Sequence, residues 1–473
     1  MDLLRQPVVG RVLRWRHLRV ALQLVLLAVA AVVVLHGLFG PQIAPRNLAT
    51  VLTSIHWRGL LIVALLAVGN LFCTACPMML ARNAGRRVVR PGLRWPRRLR
   101  GKWLGIGLLI LVLFSYELFG LWELPRATAW LVLGYFALAL AVDLTFKGAA
   151  FCRHICPIGQ FNFTASTMSP TELQVRNVST CHECRTSDCI KGRYSAVEPK
   201  RLERRGCELG LFLPAKVGNL DCTLCLDCVS ACTHDNITLV TRVPGVEWLV
   251  PGRRSGIGRL TQRTDVAGLA LVFTFAALLA AFAMTAPARS LRLGVANLTG
   301  VGSEAAGLAL LFVITIVVLP VLLVAGAATV TQRLAGAPGR LRPIAIPYVY
   351  ALVPLGFGVW LAHYGFHLLT GILTVVPVAQ SASIDLLQAA VLGAPKWTWV
   401  GMRSGSVWPI QVGFVLLGAV GSISLVWATS LRDHPGRPGR AAAAWVVLVA
   451  ALAVLALWIL AQPMDMRGMS APG

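Results

Sequence analysis

Nine stretches of about twenty mostly apolar residues, near 20–40, 59–76, 103–122, 127–146, 266–286, 305–330, 344–374, 408–430 and 442–461, limit what this chain can become. Each is long enough, at ~1.5 Å per residue, to cross a ~30 Å hydrocarbon layer. No water reaches backbone amides there, so each stretch must satisfy them internally, as helix. The expectation is an α-helical integral membrane protein of about nine spans. With 56% hydrophobic residues, 13% charged and a mean hydropathy of +0.71, an ordinary soluble fold is excluded. The first stretch, preceded by Arg5, Arg11, Arg14, Arg16 and Arg19, is too long for a signal-peptide core and reads as an uncleaved span.

A net charge of +25 would point to nucleic acid in a soluble chain, but here its location decides its meaning. With the N-terminus inside, the inner segments 1–19, 81–102, 147–263, 331–343 and 430–441 hold 5, 9, 16, 3 and 3 of the 44 lysines and arginines, leaving 8 outside. Positive residues in short loops stay cytoplasmic. The expected topology in a bacterial inner membrane is therefore N-terminus and segment 147–263 cytoplasmic, C-terminus periplasmic. No nucleic-acid partner is expected. The basic loop from Arg82 to Lys102 reads as a topology determinant at anionic lipid, or as a dock for an acidic electron carrier.

All 12 cysteines lie between Cys73 and Cys232. The densest run is Cys222-Thr-Leu-Cys225-Leu-Asp-Cys228-Val-Ser-Ala-Cys232, a C-x2-C-x2-C-x3-C spacing. Short loops of this kind wrap thiolates around a [4Fe–4S] cube. Paired C-x2-C knuckles also describe a zinc ribbon, but so many thiols this close fit a single tetrahedral ion poorly. Upstream lie Cys181-His-Glu-Cys184-Arg-Thr-Ser-Asp-Cys189 and the remote Cys207.

The dense run is similar to that of bacterial two-cluster ferredoxins, although Thr233 stands where proline usually follows the last cysteine. The crossover of that pattern implies two clusters, one on Cys181, Cys184, Cys189 and Cys232, the other on Cys222, Cys225, Cys228 and Cys207. The domain reading is then a membrane region at 1–146 with four spans, a small inserted ferredoxin-like (α+β) domain at 147–263, and a five-span membrane region at 264–473. Arg185, Lys191, Arg193, Lys200, Arg201, Arg204 and Arg205 lie near the ligands, where positive charge favours the reduced cluster and raises its potential.

Two further pairs, Cys73-Thr-Ala-Cys76-Pro77 and Cys152-Arg-His-Ile-Cys156-Pro157, fall at the ends of spans two and four. Helices continuing that far would put each pair on one face, with proline turning the chain away. Together with the dense run, Cys152-Arg-His-Ile-Cys156-Pro157 resembles the membrane polyferredoxins of the NapH, NosR and CcoG (FixG) type. The resemblance covers about residues 55–240, and the first pair has one residue fewer between its cysteines. It implies electron delivery in anaerobic or microaerobic respiration, or maturation of copper and haem enzymes. For Cys73, Cys76, Cys152 and Cys156 three readings stay open: redox-active thiols, a third metal or iron–sulfur centre, or inert packing.

Spans five to nine carry no cysteine. Span seven holds His363 and His367 one helical turn apart, which could serve a metal, a haem with a partner such as His36, copper, a quinone, or simply the hydrogen bonding of the bundle. The tail methionines Met464, Met466 and Met469 offer soft ligands to Cu(I). Glu117 and Asp143 are intramembrane carboxyls, and Pro320, Pro347 and Pro354 should kink their helices. The expected function is electron transfer from a cytoplasmic donor or quinol to a respiratory reductase, oxidase or cytochrome. The chain reads as an electron carrier or oxidoreductase subunit rather than a stand-alone enzyme. The alternative is an assembly factor that uses its clusters to reduce metal or thiols.

Overall fold

The computed structural model describes residues 2–89, 91–198, 201–250, 258–299, 304–336 and 339–463. Lys200 and the tail methionines Met464, Met466 and Met469 lie outside them. The protein is about 70% helical, with two small sheets among the described residues. Among the described residues eight helices are long and apolar enough to cross a membrane: Leu18–Phe39, Leu48–Ala67, Pro125–Thr145, Thr264–Phe282, Ala305–Ala335, Leu341–Gly371, Ser404–Asp433 and Pro438–Ala461. The ninth expected span is the helix Trp103–Phe119, whose 17 residues reach only ~26 Å.

The second span is displaced from its expected place at 59–76. Its helix starts at Leu48, where Asn47 caps it by accepting the Ala49 N–H at 2.9 Å. Hydropathy passes over this part because of Thr50, Thr53 and His56, yet Thr50 and His56 are buried and both threonine hydroxyls bond to backbone carbonyls. The helix stops before Gly69, at φ +113°, and Asn70 caps a separate short helix, Leu71–Ala75. Cys73 and Cys76 therefore sit beyond the span, not on its last turn. In the Ala305–Ala335 span a wide π turn, Ile314–Val318, comes just before Pro320, as expected where proline removes an N–H from the ladder. Leu341–Gly371 is two helices, Leu341–Tyr350 with Pro347 inside and Val353–Gly371 with Pro354 at its start.

The chain forms two units, Met1–Val29 with Ala64–Gly105 and Phe136–Arg263, and Ala30–Val63 with Ile106–Tyr135 and Thr264–Gly473. In the second, small residues let helices approach closely. A Cβ added at Gly358 would lie 2.4 Å from the Phe414 carbonyl oxygen, and one at Gly418 2.7 Å from that of Pro354. Trp360, Trp445, Tyr348 and Phe273 fill its core.

In the first unit, strand β1 (Thr171–Val175) pairs antiparallel with β4 (Ile237–Thr241), Leu173 opposite Leu239. The short strands β2 (Arg193–Tyr194) and β3 (Leu202–Arg204) form the other sheet. Leu173, Ile237 and Leu239 are buried, as is the charged Glu172, which is paired with Lys216 at 3.1 Å and Arg242 at 3.6 Å. Arg242 also binds Glu247 at 2.6 Å, and Glu247 accepts the Asn219 N–H at 3.0 Å. A buried charge is tolerable when compensated in this way. The network anchors the segment that leads into Cys222, whose N–H bonds the Asn219 carbonyl at 2.9 Å.

Candidate functional site

The thiols of Cys181, Cys184, Cys189 and Cys232 line one cavity of the first unit, together with Thr186 and Asn236. The short helix Val178–Glu183, capped by Asn177, presents Cys181 and ends at Cys184. Cys189 sits on Asp188–Lys191, and Cys232 ends Asp227–Ala231. Asn236 binds this set twice: its Nδ2 donates to Cys181 Sγ at 3.2 Å, and its backbone N–H to Cys232 Sγ at 3.5 Å. Cys207, Cys222, Cys225 and Cys228 line a second cavity, walled by Leu209, Leu211 and Leu213. The Leu211 N–H donates to Cys207 Sγ at 3.4 Å, and a bond of 2.7 Å from the Cys207 N–H to the Cys189 carbonyl links the two sets.

The backbone around these thiols is strained. Among the described residues six non-glycine residues have positive φ, and five of them, Ser187 (55°), Asp221 (63°), Leu224 (53°), Leu226 (61°) and Asp235 (44°), flank the cysteines. For Ser187, Leu224 and Leu226 this costs ~1–2 kcal/mol each against the ordinary helical conformation, while aspartate adopts it more readily. Such reversals turn successive N–H groups inward, into a concavity suited to an anionic centre. The tight run thus carries a signal beyond spacing, the bulky leucines at left-handed positions, which sequence alone does not reveal.

Burial pushes the Cys189 thiol up to about 11, and Cys232 and Cys181 add to the rise. Cys228 is held well above the usual thiol range by burial, then by Cys225, Cys222 and Cys207. Cys184 moves down, because the Ser187 N–H and the Thr186 hydroxyl favour its thiolate. Thiols that crowd each other out of water lose their protons more readily against a bound cation, so a metal bound here would couple its loading to proton release. Four thiols per cavity, with N–H donors directed at sulfur, fit a cluster as donor sets. Among the described residues no three His, Cys, Asp or Glu side chains close to the spacing that one metal ion needs.

A chain of charge lies beside the second set. Arg19 binds Asp227, between Cys225 and Cys228, and also Glu208, next to Cys207, at 3.5 Å. Arg82 binds Glu208 at 2.6 Å and Asp143 at 3.6 Å. Asp143 accepts the Phe151 N–H at 2.9 Å, so this carboxyl holds the turn carrying Cys152. Sequence reading missed Arg19, Arg82 and Glu208 as a group because their partners lie far apart along the chain.

The histidine candidates lie in the second unit. His363 and His367 are buried on Val353–Gly371, their rings edge to face with centroids 5.1 Å apart. His36 is bound at both ring nitrogens: Nε2 lies 3.1 Å from Asp385 Oδ2, and Nδ1 accepts the Leu48 N–H at 3.0 Å. It therefore offers no free nitrogen to a haem. Arg58, inside a span, lies over the Tyr116 ring at 4.5 Å, with Glu117 nearby.

No family profile matches the chain, and no solved structure matches it. One curated relative is the "Ferredoxin-type protein NapH" of Escherichia coli (strain K12), 28% identical over 195 residues. The match takes in 37% of this chain and 64% of the relative, so it spans less than two thirds of that protein.

Proposed function

We propose that this chain is a membrane-embedded iron–sulfur electron-transfer protein, passing single electrons from the face that bears segment 147–263 to a respiratory redox partner. The observation that carries the reading is the concentration of left-handed, non-glycine residues around two cysteine sets, since that strain has no use in an ordinary packed loop. The match to a ferredoxin-type protein and the eight apolar helices support it. On this reading Cys181, Cys184, Cys189 and Cys232 bind one [4Fe–4S] cluster, and Cys207, Cys222, Cys225 and Cys228 another, within a ferredoxin-like domain. Bound there, such clusters supply one-electron chemistry. The protein's own part is to hold and tune them. Asn236 and the Leu211 N–H neutralise charge on sulfur, Leu209, Leu211 and Leu213 exclude water, and Arg19 sets positive charge against the second set. The arginine and lysine bias supports a cytoplasmic side for segment 147–263.

The test is anaerobic purification, with iron analysis and electron paramagnetic resonance after reduction. The expected result is a brown protein with cubane signals, one of which disappears in Cys225→Ser. Colourless protein, or stoichiometric zinc in place of iron, overturns the reading. Reporter fusions that put segment 147–263 in the periplasm overturn its orientation.

A further inference from the structure

The two Cys-Pro turns are built alike. Cys76 ends Leu71–Ala75, Pro77 follows, and the Met79 N–H donates to the Cys76 carbonyl at 3.3 Å at the start of Met78–Val88. Cys156 caps Pro157–Ala165, its Sγ accepting the Gly159 N–H at 3.0 Å. The pairs differ by one residue in spacing, and the structure shows how that residue is absorbed: Cys152 lies on a wide π turn, Phe151–Ile155, which uses more residues per turn than the α-helix carrying Cys73.

The turns face each other. Cys152 Sγ lies 3.9 Å from Met79 Sδ, and Asn162 Nδ2 donates to Cys73 Sγ at 3.5 Å. Each contact runs from one turn to the other, so the four half-buried thiols share one site. That site is wired to the second cysteine set. Asn70 Nδ2 donates to the Cys222 carbonyl at 3.2 Å while its Oδ1 accepts the Cys73 N–H at 3.4 Å, and the Thr74 hydroxyl donates to the Thr223 carbonyl at 2.8 Å.

We propose that Cys73, Cys76, Cys152 and Cys156 hold a third iron–sulfur cluster, next in line after the one on the Cys207, Cys222, Cys225 and Cys228 set. This rests on the reading above and extends it. The donors decide between the alternatives. The Gly159 N–H on Cys156 and the Asn162 amide on Cys73 stabilise anionic sulfur, which a cluster presents and a neutral disulfide does not. Inert packing needs no such donors. The step is the transfer of one electron: the second cluster is oxidised as the third is reduced, with no bond made or broken.

The experiment uses the full chain, purified and iron-reconstituted without oxygen in detergent. Three cubes give about twelve irons per chain and two give about eight. Wild type is expected near twelve, with all four thiols protected from iodoacetamide as read by mass spectrometry. The Cys76→Ser, Cys152→Ser double variant should drop by about four, keeping the signal that Cys225→Ser removes. Asn162→Leu should keep its iron and lower the potential of the third signal, which a purely structural asparagine would not do. About eight irons in wild type with these four thiols alkylated, a disulfide within either pair, or zinc or copper on them overturns the third cluster and leaves the first two. Absence of all iron overturns both readings.

Discussion

Arg82 holds Glu208 at 2.6 Å inside the first unit, joining the helix after one Cys-Pro turn to the residue beside Cys207. Burial alone would raise the Glu208 carboxyl; Arg82 and Arg19 outweigh it and keep it below the usual range. Removing one partner of a buried pair leaves an uncompensated charge and costs ~3–5 kcal/mol. Arg82→Met should therefore melt several degrees lower in detergent and lose iron from the second set first. Arg82→Lys should recover little, because one ammonium cannot serve both Glu208 and Asp143 in the forked geometry. Equal melting of Arg82→Met and wild type would show that the pair contributes nothing.

Asn236→Ala removes the donor to Cys181 Sγ but leaves the backbone N–H that bonds Cys232 Sγ. A hydrogen bond to sulfur favours the reduced cluster. At ~1 kcal/mol net its loss lowers that cluster's potential by about 40 mV. A redox titration followed by paramagnetic resonance should show this shift in one signal, with iron content unchanged. A shift in neither signal would mean that Asn236 serves only the fold.

Leu226 is left-handed at φ 61°, between Cys225 and Cys228. A β-branched residue tolerates that conformation worse than leucine, and glycine adopts it freely. Leu226→Val should cost ~1–3 kcal/mol and speed iron loss from the second set, while Leu226→Gly should hold its iron. Reversed rates of loss to a chelator would refute the strained-loop account.

The membrane class was legible because apolar length alone requires helix, and the dense thiol run from Cys222 to Cys232 because its spacing is local. Asn70 was not legible: it is an ordinary polar residue whose meaning comes from the Cys222 carbonyl, 152 residues away. The second span was misplaced because Thr50, Thr53 and His56 look polar in a window, yet the threonine hydroxyls return to backbone carbonyls of their own turns. His36, a candidate partner for a span-seven histidine by its place in the first span, is taken at Nε2 by Asp385, from a helix far along the chain.

Arg176 ties the N-terminus to the cysteine-bearing unit, reaching Asp2 at 3.0 Å and Asp235 at 3.0 Å. For both carboxyls burial works upward and is outweighed: hydrogen bonds from Thr238 and Arg176 bring Asp2 down, and those from Arg14 and Arg176 bring Asp235 down. A depressed carboxyl stabilises the fold above its unfolded pKa of about 3.9, and this is lost as pH falls through the lower folded value. The contribution, ~0.2–1 kcal/mol per exposed pair, should vanish in Arg176→Ala. Hydrogen exchange of the amides in residues 2–13 should then be faster than in wild type at pH 7, with the ratio between the two falling to one in strong acid. A difference that persists in acid would assign the effect to packing.

Two glycines on different helices of the second unit separate close packing from open helix surface. On Ser404–Asp433 a Cβ at Gly418 would lie 2.7 Å from the Pro354 carbonyl oxygen, a backbone atom that cannot swing aside. On Leu319–Ala335 a Cβ at Gly326 would meet nothing within 4 Å. Gly418→Ala should force the two helices apart at a cost of ~1–3 kcal/mol. Gly326→Ala should gain up to ~1 kcal/mol, from the lower backbone entropy that alanine loses on forming helix. Thermal unfolding in the same detergent should thus move in opposite directions for the same chemical change. If Gly418→Ala rises with Gly326→Ala, the close approach that distinguishes them does not hold this unit together.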